Sequence, residues 1–194
     1  LSQAELSLVE IAYPPLQAEP LGDAELDLIM ESAVETFRQN ATDIFMDCPS
    51  RERAGWLCDS YFTGRSEWAL TGGNAVEHSF LENFVRTTGF QANPPMPKGM
   101  FPMCYPSSHD FIGGPALQTK NYIPNWALWL VIELEEFLRE RRGDEALREE
   151  FRQPVYGLLG CLAAHENADG LLEDLPGWIF LEWSRANDPD VVCG

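Results

Sequence analysis

Cationic charge is scarce in this chain: Lys and Arg number 13 against 31 Asp and Glu, for a formal net charge of −18. Phosphate recognition rests on Lys and Arg, so this balance argues against nucleic acid and against an anionic membrane surface as partners. Long apolar runs are also missing. The longest, Trp126 to Ile132, is too short to span a bilayer. The N-terminus has no charged-then-apolar leader pattern, and the chain opens on Leu1. It therefore reads as an excised piece or a processed product, with the compartment left open. Cysteine is sparse and odd in number, at positions 48, 58, 104, 161 and 193, which does not suggest a disulfide framework. His78, His109 and His165 stand singly, without the close ligand pairs that zinc needs. No metal and no cofactor is expected. No internal repeat suggests a solenoid.

What is present is a core. Hydrophobic residues make up 45% of 194 positions, with eleven Phe and six Trp, enough for one globular domain. Residues 1–22, with Pro14, Pro15 and Pro20, read as an extended arm or the last strand of a preceding β domain. Asp23 is a fitting N-cap for a helix to about Asn40, with Leu26, Ile29, Ala33 and Phe37 as its apolar stripe. A second helix is expected from Trp56 to Leu70, stopped by Thr71-Gly72-Gly73. A third follows Asn74, turns Phe80, Leu81, Phe84 and Val85 inward, and ends at Gly89.

Residues 90–118 hold six prolines and read as a long ordered loop, with a short strand at Met100–Tyr105. His109 and Asp110 lie in it, as site residues or as turn stabilisers. A fourth helix is expected over 121–142, apolar all round in its first half and a charged surface from Glu133 onward. Asp144 caps a fifth, kinked at Pro154, with Leu147, Phe151, Val155, Leu158 and Leu162 on one face. Residues 169–184 read as a loop with a short strand ending at Trp183-Ser184. These elements predict an all-α fold: an α/α hairpin array with short strands in long loops.

Chemistry concentrates in Asp47-Cys48-Pro49-Ser50-Arg51-Glu52-Arg53-Ala54-Gly55-Trp56-Leu57-Cys58-Asp59. If a helix starts early here, Glu52 and Asp59 share one face, two turns apart, with Asp47 as its N-cap. Carboxylates converging beside an aromatic suit glycosidic hydrolysis, where one acid gives a proton to the leaving oxygen and others hold hydroxyls or activate water. The same residues also fit a solvated charged turn in which Arg51 and Arg53 pair locally.

This string resembles the Asp-Cys-Pro-x-Arg-Glu-Arg-x-Gly-Trp-x-x-Asp signature of bacterial α-L-rhamnosidases, glycoside hydrolase family 78. The resemblance extends to residues 24–46, to Ile123-Pro124-Asn125-Trp126 (Ile-Pro-Asp-Trp in the family), and to Asp169–Leu172 through Trp183. It implies that residues 23–194 are the N-terminal part of an (α/α)6 six-hairpin catalytic domain. Glu52 is then the proton donor, with an ion pair to Arg53 or Arg65 as its rival role. Asp47 and Asp59 contact the sugar, Trp56 offers an apolar face for rhamnose, Arg51 holds the carboxylates by a bidentate bond, and Trp126 is a pocket tryptophan.

The implied substrate is a rhamnose-containing oligosaccharide or glycoside, and the implied partner is the remainder of the catalytic domain. Bacterial cytoplasm, periplasm and secretion all remain open. Inversion needs a base as well, which the family carries in a much later hairpin. Glu133 and Glu173 are available carboxylates without a motif behind them. Two other readings stand beside this one: a six-hairpin glycosidase of different sugar specificity, and a non-catalytic helical module that binds sugar or protein.

Overall fold

The structure is a computed structural model, and it describes residues 6–9, 11, 13–86, 96–107, 122–140 and 145–181. Five helices are present among them: α1 Ala24–Asn40, α2 Asp59–Thr71, α3 Ala75–Arg86, α4 Pro124–Arg139 and α5 Glu145–Ala163. The ends expected at Gly89, Asp144 and Trp183-Ser184, and His109 and Asp110, lie outside the described residues.

Each helix starts and stops for a local reason. The Asp23 carboxylate accepts from the amides of Glu25 and Leu26, closing the first turn of α1. Gly72 takes the left-handed conformation, φ 65°, and its amide returns to the Trp68 carbonyl to end α2. Pro124 opens α4, where its missing N–H costs nothing. The start of α3 is unusual. Its Val76 and Glu77 amides donate to the two carboxylate oxygens of Glu67, at 3.0 and 2.9 Å, from the neighbouring helix.

The helices close a ring of contacts, α2 against α3 and α4, and α5 against α3 and α4. Phe80, Leu130, Phe137, Leu147, Phe151 and Leu158 fill the space between them and are essentially inaccessible. Burying side chains of this size contributes on the order of 2 kcal/mol each. No helix of the described residues is long and apolar enough to cross a membrane.

Three expectations are corrected. In α1 only Phe37 of the expected stripe is buried. Leu26 and Ile29 are 49% and 58% exposed, because the buried side of the helix is set by Val34 and Phe37 and little packs against its first turns. Glu133 is not surface but fully buried, where its Oε2 accepts a 2.5 Å hydrogen bond from Ser60 Oγ. The short strands are not formed among the described residues. Only isolated bridges occur, Ala41 with Phe45, Trp56 with Cys104 and Glu166 with Leu172, since prolines and turns interrupt each ladder after one pair.

Candidate active site

The carboxylate-rich stretch is a loop, and α2 begins only at Asp59. The early helix start is therefore ruled out, and Asp47 is no helix cap. Instead, the Asp47 amide donates to the Ala54 carbonyl at 3.1 Å, and the Ala54 amide donates to Asp47 Oδ1 at 3.0 Å. These two bonds pinch residues 47–54 into a closed loop. Inside it the Glu52 amide donates to Cys48 Sγ at 3.2 Å, and Arg53 turns the chain back at φ 51°.

The loop's exit is pinned by the proline-rich segment. Gly55 N donates to Pro106 O, Tyr105 N to Gly55 O and Leu57 N to Met103 O, at 2.9, 2.9 and 3.0 Å. A Cβ at position 55 would overlap the Tyr105 carbonyl oxygen, so this pairing requires glycine there. It also turns Trp56 inward, 8% exposed, into a small core with Ala54, Met103, Cys104 and Ile123.

Glu52 is half-buried. Its Oε2 accepts from the Trp56 indole N–H at 3.1 Å, and its Oε1 accepts from Arg51 Nη2 at 2.5 Å. Burial pushes its carboxyl up, Asp47 reinforces this by hydrogen bond and charge, and Arg51 and Trp56 oppose it. Asp59 borders solvent, yet its carboxyl sits in a hollow that strips hydration from the charged form. That desolvation, with the charges of Asp47 and Glu52, raises it to about 6. The same two charges act on Cys104, whose thiol burial pushes to about 12, and burial lifts Cys58 to about 11. Neither thiol is a nucleophile at neutral pH. Asp47, Glu52 and Asp59 thus form one electrostatically coupled group.

The three acids do not line one concavity. Asp47 and Asp59 border a hollow of about 500 Å³ between α1 and α2, walled by Met30, Val34, Phe37 and Phe62. Glu52 borders a wider one of about 1040 Å³ with Asp43, Arg51, Arg53 and Tyr105. Trp56 and Trp126 border neither. Trp126 stands edge-on to Trp56 with ring centres 5.5 Å apart, and Phe180 stands edge-on to Trp126 at 5.5 Å.

Arg51 makes a single contact with Glu52 rather than a bidentate one, because its side chain is 79% exposed and only one nitrogen reaches the carboxylate. Arg65 is engaged elsewhere, 3.8 Å from Glu136. Sequence reasoning does not find Phe180, Trp178 or the Asn125 side chain, which donates to the Phe180 carbonyl at 2.8 Å. Their only signal is aromatic density in a loop far along the chain. Among the described residues no group of three His, Cys, Asp or Glu is arranged to hold a metal ion.

The α/α hairpin array thus carries Asp47 and Glu52 on one pinned loop and Asp59 at the start of the helix that follows it. Residues 22–191 match the family described as the bacterial alpha-L-rhamnosidase 6 hairpin glycosidase domain, and the chain belongs to that family. Among solved structures it is similar to the crystal structure of a GH78 family rhamnosidase of Bacillus sp. GL1, with a TM-score of 0.70 and 23% identity. That match covers 91% of this chain and 17% of the other, so the chain spans a small part of its structural neighbour. No curated protein matches. The fold is accordingly a partial six-hairpin α/α domain.

Proposed function

We propose that this chain supplies the proton-donor part of an inverting α-L-rhamnosidase. Glu52 in its acid form gives its proton to the glycosidic oxygen. The bond from that oxygen to C1 breaks with its electron pair staying on the aglycone. A water attacking from the opposite face of the sugar gives hydroxide to C1 and its proton to a carboxylate base, about 6.5–9.5 Å from Glu52, carried by the remainder of the domain. Asp47 and Asp59 accept sugar hydroxyls.

The observation that supports this best is the coupled trio of Asp47, Glu52 and Asp59, in which burial and like charge favour a proton on Glu52. The test is hydrolysis of an alkyl α-L-rhamnoside by the longer polypeptide that carries this chain. Glu52→Gln is expected to lower the rate by about 10²–10⁴-fold. An unchanged rate removes Glu52 from the donor role. Proton NMR should show β-rhamnose released first, and faster turnover of another sugar's glycoside would select a different six-hairpin specificity.

One observation favours a second reading, a non-catalytic binding module: Glu52 is ion-paired to Arg51. In that case calorimetry detects rhamnose equally with the parent chain and with Glu52→Gln, and no polypeptide containing the chain turns over rhamnosides.

A further inference from the structure

The two oxygens of Glu52 are held by very different means. Oε1 accepts from Arg51, whose side chain is 79% exposed, and a surface ion pair of this kind exchanges readily with water, while the Asp47 carboxylate also stands within hydrogen-bond reach of the Glu52 carboxyl. Oε2 meets the indole N–H of Trp56 at 3.1 Å. That indole is locked: Trp56 is 8% exposed, Trp126 stands edge-on to it and Phe180 to Trp126. Asn125 then ties the Phe180 backbone to the first turn of α4 at 2.8 Å. An indole N–H donates and never accepts, so a proton on Oε2 would face another donor.

We infer that Trp56 is a positioning residue: it reserves Oε2 as an acceptor and leaves Oε1 as the atom that carries and delivers the proton. This rests on the reading of Glu52 as proton donor given above. Protonation of Oε1 removes the acceptor that holds Arg51, so the guanidinium leaves the same oxygen that the glycosidic oxygen must approach. Trp56 therefore acts on the sugar through Glu52 and not by contact. The other charged and titratable groups facing Glu52 are Asp47 and Asp59 in the trio, Cys104 behind the loop, and Asp43, Arg53 and Tyr105 around its hollow.

The test is a carbon-13 NMR titration of the Glu52 carboxyl in this chain and in Trp56→Phe. Losing a donor to the charged form is expected to raise the midpoint by about one pH unit. A midpoint that stays or falls overturns the inference. Should Trp56→Phe fail to fold, the same titration is run with a benzothiophene side chain at position 56, which keeps the ring shape and lacks only the N–H. In the longer polypeptide Trp56→Phe is expected to lower kcat about tenfold at unchanged KM, with the alkaline limb of kcat/KM moving up as far as the NMR midpoint. A raised KM with a fixed limb means that Trp56 touches the sugar, and this too overturns the inference. Full turnover of alkyl rhamnosides by Glu52→Gln is a separate result: it removes the donor reading, and the delivery step with it, whatever the Trp56→Phe midpoint shows.

Discussion

Glu67 and Glu52 are both carboxylates pushed up by burial, and they are built for opposite ends. Glu67 is fully enclosed, and its oxygens accept from the amides of Val76 and Glu77 and from the Tyr13 hydroxyl at 3.0, 2.9 and 3.4 Å. It occupies the N-terminus of α3, where unpaired amides and the helix dipole favour an anion. Each of its two oxygens accepts from an amide fixed in the α3 backbone. Glu52 has one fixed neutral donor on one oxygen and one displaceable cation on the other. A carboxylate wrapped in backbone amides is part of the frame. One with a single anchored oxygen has the other open to a change of partner.

The contrast breaks most visibly through stability. Glu67→Gln leaves a carboxamide whose NH2 must face one of the two α3 amides, so a buried donor goes unpaired. The expected loss is about 3 kcal/mol, or roughly 6–12 °C in Tm for a chain of this size. Glu52→Gln is expected to change stability by less than about 0.5 kcal/mol while removing activity, since the indole can donate to the amide oxygen equally well. Thermal and urea melts of both variants decide this. Equal losses would mean that the two carboxylates do the same structural job.

A smaller effect comes from the packing that holds Glu67's neighbour. Gly64 on α2 faces the carboxyl group of Glu77, whose carboxyl carbon would lie 2.6 Å from an added Cβ. Glu77 is fully buried and has no solvent to retreat into. Gly64→Ala gains about 1 kcal/mol of helix propensity and loses more to overlap, for a net destabilisation of about 1–2 kcal/mol. A stabilised variant would show that α2 and α3 can separate at this point without loss.

How much of this is legible in the sequence follows from where each interaction closes. Helices α3 and α5 are readable because Phe80, Leu81, Phe84, Leu147, Phe151 and Leu158 repeat at helical spacing and are buried as that spacing demands. The same rule misleads in α1, where Leu26 and Ile29 keep the spacing and stay exposed. Periodicity says which residues share a face and nothing of whether that face is covered. The loop at 47–58 reads in sequence as a possible helix because its pinning bonds come from Met103, Tyr105 and Pro106, far away in the chain. Glu67 is invisible as a cap, since its amide partners lie 9 and 10 residues on, past the end of its own helix. Glu133 looks like surface because its hydroxyl partner, Ser60, is 73 residues away. The rhamnosidase reading comes from the signature alone. Spacing supplies only a group of acids, and folding couples Asp47, Glu52 and Asp59 electrically while opening them on two different hollows.

Asp59 provides the mildest probe of the difference between frame and site. It stands at the first position of α2, where a negative charge is ordinarily welcome, yet burial together with Asp47 and Glu52 raises its carboxyl from 3.8 to about 6. A carboxyl raised on folding takes up its proton more readily in the folded state. Its contribution to stability is therefore full below about pH 4 and is lost as pH rises through about 6. Asparagine keeps the shape of the protonated acid and cannot acquire the charge. Asp59→Asn should then melt with the parent chain at pH 4 and above it at pH 8. Because the carboxyl borders solvent, screening holds the gain to about 1 kcal/mol, some 2–4 °C. A gain that appears at pH 4 and vanishes at pH 8 would have the wrong sign. It would mean that Asp59 serves as a helix-start anion like Glu67, with Asp47 and Glu52 too well hydrated to repel it.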